Sequence, residues 1–496
     1  MSKQSHLRER RRQSRRKHHL FAIPKPLSIV VFLLFSPSIG LAHKANGSVK
    51  HVATDASAAT SRISILPERI KEEAQQRVNA KWYPSLVIAF VDGNKSEVAT
   101  FGKLDDGSVP NGRTVYEIGS VTKTFTAALL AEAIQSGRVK PDTPVAALLP
   151  GWKVPARSGK QITLENLATQ FSGLPYMPDN LAASDPANPY ANYDANKLQG
   201  FLASYELKRD PGQAYEYSNV GFGVLGFALT QPDSYGHAVQ THVFQPLGMT
   251  MSSVGLNQTT RAHLARGHNR RNQAVENWNF YVLAGCGGID STADDMMRYL
   301  KSNIGEISSA LSPAFRLAQQ PRSAVDKADR IGLAWMTRAA KPADVIWHNG
   351  TTFGYASFIG FTTDGMRGIV ILSNISESVD DLGFAALSDA PLHSYRTVPV
   401  SDAALHSYAG VYKEAGGGLI KVFLRSGQVY AEALGEDGIP LFPQSTDEFF
   451  TRIPGFQLVF KRNENGEVDK LILRQKEDRI ASKLSGKEAE SALSKF

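Results

Sequence analysis

One cysteine, Cys286, occurs in 496 residues, and that excludes an internal disulfide in any compartment. No apolar run approaches the roughly 20 residues of a membrane-spanning helix; the most apolar stretch is LSIVVFLLF at 27–35. There is no zinc-type Cys/His spacing, no phosphate-binding glycine loop and no internal repeat. A charge of one sign is also missing from most of the chain. The formal net charge is +8, but nine Lys or Arg and a single acid, Glu9, lie in residues 1–42. The other 454 residues carry 46 basic and 46 acidic side chains. With no basic surplus there, a nucleic-acid partner is not expected.

The charged leader itself has the order of a targeting signal. A basic region, RERRRQSRRKHH, precedes the apolar stretch and then SPSIGLA, where Gly40 and Ala42 suit a signal-peptidase site. Cleavage after Ala42 is expected, giving residues 1–42 as a signal peptide, with an uncleaved anchor as the alternative. Ser14-Arg15-Arg16 hints at twin-arginine export, but His18 and His19 stand where that signal is apolar, which favours the general secretory route. The mature protein is then exported, periplasmic or secreted, without a stable membrane span. Residues 43–62 are small and polar, as in a linker.

Hydrophobic patterning divides the remainder. An amphipathic helix is expected over 64–80, then strands SLVIAFVDG and SEVATFGK around a turn at Asp92-Gly93-Asn94. Residues 140–310 read as mostly helical, interrupted by a long polar stretch at 175–197. STADDMMRYLKSN at 291–303 has a helix start with Ser291 or Thr292 as its cap. From 343 the strands ADVIWHNG, YASFIGF and RGIVILSN follow, then a helix near 379–389. Early and late strands with helices between them predict one sheet made from both ends of an α/β (α+β) domain over 63–395, beside a helical subdomain. Residues 401–496 hold short strands and the hairpin signal Asn465-Gly466, and predict a small antiparallel β domain, barrel or sandwich.

Three short motifs carry the chemistry. EIGSVTKTFTAALLAEAIQSG at 117–137 puts Ser120 one helical turn before Lys123, so the amine lies beside the hydroxyl. A buried lysine loses its proton more readily and can then activate a serine. By itself the pair is weak: S-x-x-K recurs at Ser14–Lys17. PGQAYEYSNVGFGVLGFAL places Tyr217-Ser218-Asn219 before an apolar helix, whereas a second Y-x-N, Tyr190-Ala191-Asn192, lies in the polar stretch without such a setting. VIWHNGTTFG places His348-Asn349-Gly350 at the expected end of a strand, and no other H-x-G occurs. Cys286, in LAGCGG, reads as a small buried residue in a glycine-rich turn.

In this order the motifs resemble those of the penicillin-recognising serine hydrolases, which include class C β-lactamases, D-alanyl-D-alanine carboxypeptidases and endopeptidases, and related esterases. FSGLP, PLGM and GGIDSTADDMMRYL add to the likeness, which covers about 64–390. It implies the β-lactamase/DD-peptidase-like fold, an antiparallel sheet flanked by helices plus a helical subdomain. It also implies Ser120 as nucleophile, with Lys123 and Tyr217 sharing the base's work, the phenol acidified by the nearby ammonium. Asn219 would hold the substrate amide and Lys123. The backbone N–H groups of Ser120 and Thr351 would form an oxyanion hole, with His348, Gly350 and Thr351 on the substrate. One departure stands out: class C β-lactamases usually carry lysine where this chain has His348, which looks more like the peptidases and esterases. SYAGVYK at 407–413 resembles the opening of small β domains that follow some of these enzymes. The expectation is an exported enzyme acting on D-Ala-D-Ala ends or crosslinks, with a cell-wall stem peptide or a β-lactam as substrate. It would need no metal and no cofactor. The alternatives are a β-lactamase, a carboxylesterase and a penicillin-binding sensor that does not turn over. The lack of G-x-S-x-G argues against an esterase of the α/β-hydrolase fold.

Overall fold

A computed structural model describes residues 64–494, except 182–187, 393–396, 426, 434–437, 452–455 and 476. The expected signal peptide, its cleavage after Ala42 and the 43–62 linker lie outside the described residues.

The chain opens with helix α1, Glu68–Asn79, whose Ile70, Glu73, Ala74 and Arg77 form the buried face, the three- and four-residue spacing of an amphipathic helix. Two strands follow, β1 (Ser85–Asp92) and β2 (Lys95–Gly102), joined by the expected tight turn at Gly93-Asn94. Next come β3 (Val115–Glu117), helix α2 (Thr122–Gln135), helix α3 (Asn219–Thr230), β4 (Ile289–Thr292) and helix α4 (Ala293–Ile304). Thr292 caps α4 by accepting from Asp295 N–H, so the second of the two candidate caps is the one used. After the short strands β5 (Ser323–Ala324), β6 (Asp329–Ile331) and β7 (Met336–Arg338) come β8 (Val345–Thr351), β9 (Ala356–Thr362), β10 (Arg367–Ser373) and helix α5 (Asp380–Leu387).

One antiparallel sheet of eight strands runs β2-β1-β10-β9-β8-β7-β6-β5. The two ends of this part of the chain meet at β1 and β10, with Leu86 opposite Ser373 and Asp92 opposite Arg367, as the early and late strands predicted. Alternation along β1 feeds two cores. Val87, Ala89 and Val91 join the one that holds α2 and α4, while Leu86, Ile88 and Phe90 join the one that holds α1 and α5. A strand buried on both faces needs apolar residues at every position, and SLVIAFV supplies nearly that.

Two expectations need correction. The 140–310 stretch is less helical than its pattern suggested: apart from Ala195–Ser204, α3, the unbroken helical run from Tyr235 to Leu247 and α4, its helices are short turns between loops. Glycine and proline punctuate it too often for longer ones. In addition, β8 runs one residue past the expected strand ADVIWHNG, which ends at Gly350. It continues through Gly350 to Thr351, paired with β9 as His348 to Ile359 and Thr351 to Ala356, so the turn starts only at Thr352.

Residues 410–483 form a closed eight-stranded antiparallel barrel, from Gly410–Glu414 to Arg479–Lys483, which pair with each other to close it. Asn465-Gly466 makes the expected hairpin turn, with Gly466 at φ +79°. Phe442 and Phe450 of the barrel reach the α1–α5 core, where both rings pack on Trp82 at centroid distances of 5.5 and 5.4 Å. Among the described residues no helix is long and apolar enough to cross a membrane.

Candidate active site

β3 delivers the chain to Ile118, a 3-10 turn at Gly119–Val121 follows, and α2 begins at Thr122. Ser120 sits in that turn and Lys123 in the first turn of α2. Most sides of α2 are buried, so Lys123 is carried into the interior at 0% exposure. Its Nζ donates to Ser120 Oγ at 2.8 Å, Asn219 Oδ1 at 2.8 Å and the Cys286 carbonyl at 2.7 Å. Tyr217 OH donates to Ser120 Oγ at 2.7 Å. Burial, the dominant effect, pushes the lysine down to about 8, because a charge far from water is costly.

The geometry suits either form of the amine. An ammonium has three donors for three acceptors. A neutral amine keeps two donors for Asn219 and Cys286, and turns its lone pair to the proton of Ser120. Tyr217 behaves otherwise than expected. Burial raises its phenol above the ordinary range, and the Ser120 hydrogen bond offsets only part of that. It is not acidified.

The supporting segments explain how these atoms meet. Ser218 caps α3, its Oγ accepting from Gly221 N–H at 2.9 Å and donating to the Pro175 carbonyl at 2.6 Å, which ties FSGLP to the Tyr217 motif. Glycines in α3 let it lie against residues 283–285: a methyl on Gly223 would be 2.3 Å from Leu283, and one on Gly226 would be 2.9 Å from Gly285. That contact sets the Cys286 carbonyl over Lys123. Cys286 is buried as expected, yet the site uses its backbone oxygen.

β8 closes the other side. A methyl on Gly350 would lie 2.0 Å from the Ile118 carbonyl and 3.0 Å from Ser120 N, and one on Gly119 would lie 2.9 Å from Thr351 N. Only glycine allows this approach, which brings the backbone around Ser120 and Thr351 together. Ser357 Oγ donates to the Ile118 carbonyl at 2.8 Å and fixes it. His348 is 5% exposed. Burial and then the charge of Lys123 push its imidazole down to about 3. Its Nδ1 lies 2.6 Å from the Asn349 carbonyl, so Nδ1 carries the proton of a neutral ring.

Ser120, Lys123, Tyr217 and Asn219 therefore share one hydrogen-bonded cluster, with Gly350 and Thr351 against its edge. His348 is buried behind Gly350 and does not line the small pocket that opens on Ser120. That pocket is walled by Tyr176, Tyr190, Trp278 and Phe280 and floored by Asn219 and Thr351. Sequence reasoning missed all four aromatic residues, and set Tyr190 aside outright. It is buried, accepts from Asn219 Nδ2 at 3.3 Å and packs on Phe280 and Trp278. The clustering of aromatics in NWNFY at 277–281 was the available signal. The buried carboxyl of Glu117, just before Ser120, holds that segment by accepting from Asn277 Nδ2 at 2.9 Å and Trp278 N–H at 2.8 Å.

Comparison with known proteins bears on the family and the fold. A family model described as Beta-lactamase matches residues 70–392, and one described as a domain of unknown function, DUF3471, matches 395–488. The chain is 28% identical over 338 residues to the D-alanyl-D-alanine-carboxypeptidase/endopeptidase AmpH of Escherichia coli strain K12, covering 62% of this chain and 86% of that protein. It is 27% identical over 330 residues to a beta-lactamase of the same strain, covering 59% and 84%. A solved class C beta-lactamase shares the fold with a TM-score of 0.57 at 22% identity, covering 67% of this chain and 99% of that one. The class C beta lactamase from Rhodobacter sphaeroides does so at 0.55 and 22%, covering 62% and 95%. The match over 70–392 and the Ser120–Lys123–Tyr217 cluster lead to one conclusion: this chain belongs to the beta-lactamase family of serine hydrolases.

Proposed function

We propose that the protein is an exported hydrolase that forms an acyl-enzyme on Ser120 and cleaves D-alanyl amide bonds of cell-wall peptides, as a carboxypeptidase or endopeptidase. The observation that carries this reading is the position of Ser120 Oγ, between Lys123 Nζ at 2.8 Å and Tyr217 OH at 2.7 Å. Ser120 Oγ adds to the substrate carbonyl while its proton passes to neutral Lys123, the group whose proton affinity burial has lowered. The backbone N–H groups of Ser120 and Thr351 face the oxygen that becomes negative. Tyr217, whose phenol keeps its proton, relays a proton to the departing amine as the intermediate collapses. Asn219 holds Lys123 and the substrate amide. Gly350 keeps β8 close enough for Thr351 to take part, and water then releases the acyl group. Residues 63–395 form the hydrolase domain in this reading, and 401–496 a separate β domain without an assigned ligand. The basic, then apolar, order of residues 1–42 supports export.

The neutral ring of His348 supports a peptidase over a β-lactamase, since it brings no positive charge to a β-lactam carboxylate. The likeness to AmpH favours the same choice. A second reading, a β-lactamase, has the 27% identical relative in its favour.

Intact-mass measurement after adding a penicillin, beside assays on a D-Ala-D-Ala pentapeptide and a crosslinked muropeptide, separates them. The expected result is a lasting adduct on Ser120, cleavage of peptide, and loss of both in Ser120→Ala. An adduct that vanishes while the antibiotic is consumed and the peptides stay whole would establish the β-lactamase instead. A lasting adduct without peptide cleavage would point to a sensor. Unchanged hydrolysis in Ser120→Ala would sink the whole mechanism.

A further inference from the structure

Asn219 can help Lys123 only one way round. Lysine Nζ has N–H donors to place, so the Asn219 amide must turn its oxygen toward Nζ, and the two are 2.8 Å apart. The amide's other end, Nδ2, must then find an acceptor. Tyr190 OH supplies the nearer one at 3.3 Å, and Met177 Sδ a longer one at 3.9 Å. A phenol can also donate, which would suit the amide turned over, but the proton of Tyr190 points to Met177 Sδ at 3.4 Å. The chain of hydrogen bonds thus has one direction, from Lys123 and from Asn219 outward to Met177. The ring cannot swing away: Tyr190 is 3% exposed and wedged at 4.4 Å from Phe280 and 5.3 Å from Trp278.

We propose that Tyr190 is a positioning residue for Lys123: its hydroxyl fixes the orientation of the Asn219 amide, which keeps an oxygen rather than an N–H group against the lysine. This rests on the reading of Lys123 as the base for Ser120. It gives the stretch at 175–197 a part in the reaction itself, through a residue that touches neither Ser120 nor Lys123 through a hydrogen bond.

The consequence is a titration. With its oxygen toward Nζ, Asn219 favours the ammonium; with Nδ2 there, it would oppose it. The other ionisable groups facing Lys123 are Tyr176, Tyr217, the Cys286 thiol and His348. Burial raises both phenols, pushes the thiol up to about 11 and holds the imidazole at about 3. None of them titrates near the lysine, so a change there reports on Lys123.

The test is the pH titration of the Lys123 13Cε resonance in selectively labelled protein, assigned with Lys123→Arg and needing no substrate. Tyr190→Phe keeps the ring and removes the hydroxyl. Its expected effect is a fall in the Lys123 midpoint by about half to one pH unit, the share of one such hydrogen bond. Met177→Leu, which frees the phenol proton to reverse the amide, should move it the same way by less. The pH dependence of Ser120 acylation by a penicillin should shift in parallel, with a plateau about 5- to 20-fold lower in Tyr190→Phe. An unchanged or raised midpoint in Tyr190→Phe overturns the proposal, even if activity falls, because Tyr190 would then only pack the pocket wall. If Ser120→Ala hydrolyses as well as the parent while the midpoint shifts, the catalytic reading fails and the positioning of the amine survives.

Discussion

Around Ser120 the interior is polar: Lys123, Asn219, His348, Glu117 and Asp290 are all buried. Inside the C-terminal barrel, among the described residues and leaving tyrosine aside, Thr451 is the one buried polar side chain. Two buried tyrosines there, Tyr408 just before the barrel and Tyr412 in its first strand, send their hydroxyls to backbone carbonyls, Tyr408 to Thr446 and Tyr412 to Tyr408. Glycine differs in the same way. Gly417, Gly427 and Gly466 of the barrel have positive φ and open space around them, so they serve turn conformation. Gly350 has no unusual φ and no room at all. The barrel obeys the rules of packing, while the region around Ser120 carries a cost. A lysine moved from 10.5 to about 8 costs the fold about 3 kcal/mol at neutral pH. Such a cost fits the catalytic role proposed for Lys123.

The largest contrast should appear between two glycine-to-alanine changes. Gly350→Ala forces β8 away from Ile118 and spoils the approach of Thr351 to Ser120, and hydrolysis should fall about a hundred- to a thousandfold, the cost of a lost oxyanion donor. Gly466→Ala strains only a turn, and should cost about 1 kcal/mol of stability with activity intact. Steady-state kinetics and chemical denaturation on both variants decide it. If Gly350→Ala kept full activity, the space argument around Ser120 would be wrong.

Smaller effects follow at the junction and behind the site. Phe442→Ala empties a ring position beside Trp82 and Phe450 and should cost about 3 kcal/mol in unfolding free energy, with the activity of the folded protein unchanged. A proportionate loss of activity would mean that the barrel does more than pack. His348 makes the opposite test, since its ring stays neutral down to about 3 in the fold but takes a proton near 6.5 when unfolded. Its contribution is full above pH 6.5 and is lost as pH falls toward 3. Between pH 6.5 and pH 4 the parent should lose about 3 kcal/mol more stability than His348→Gln. Equal losses would show that the ring is hydrated.

Much of this was legible in the sequence, for reasons specific to each element. SLVIAFV and RGIVILS read as strands because a strand covered on both faces leaves no polar alternation, and Asn465-Gly466 read as a hairpin because the turn needs a residue that tolerates positive φ, the role Gly466 fills. Ser120, Lys123, Tyr217 and Asn219 were found through three motifs that gain meaning only in company. The aromatic wall was not found, because Tyr176, Tyr190, Trp278 and Phe280 come from two loops that no periodicity joins. The Cys286 carbonyl was hidden for a simpler reason: a backbone atom leaves no mark in the sequence. His348 was placed at a strand end since Asn349-Gly350 looks like a turn, whereas that glycine serves close approach inside β8.

The smallest effect is also the most direct measure of the polar interior. With Lys123 at about 8, roughly a tenth of the protein holds the free amine at pH 7. Acylation of Ser120 under limiting penicillin should therefore rise about tenfold from pH 7 to a plateau, with its midpoint near 8. Asp380, pushed up to about 6 by burial and bonded to Asn349, titrates below that limb and leaves it resolved. The same proton must appear in the stability. Because the unfolded lysine holds its proton up to about 10.5, the fold gains stability as pH rises from 8 to 10.5, and Lys123→Met should lack that gain. A rate limb near 8 without the matching rise in stability would assign the limb to another group. Both displaced to 10 would mean that water reaches Lys123, and the contrast between this interior and the barrel's would disappear.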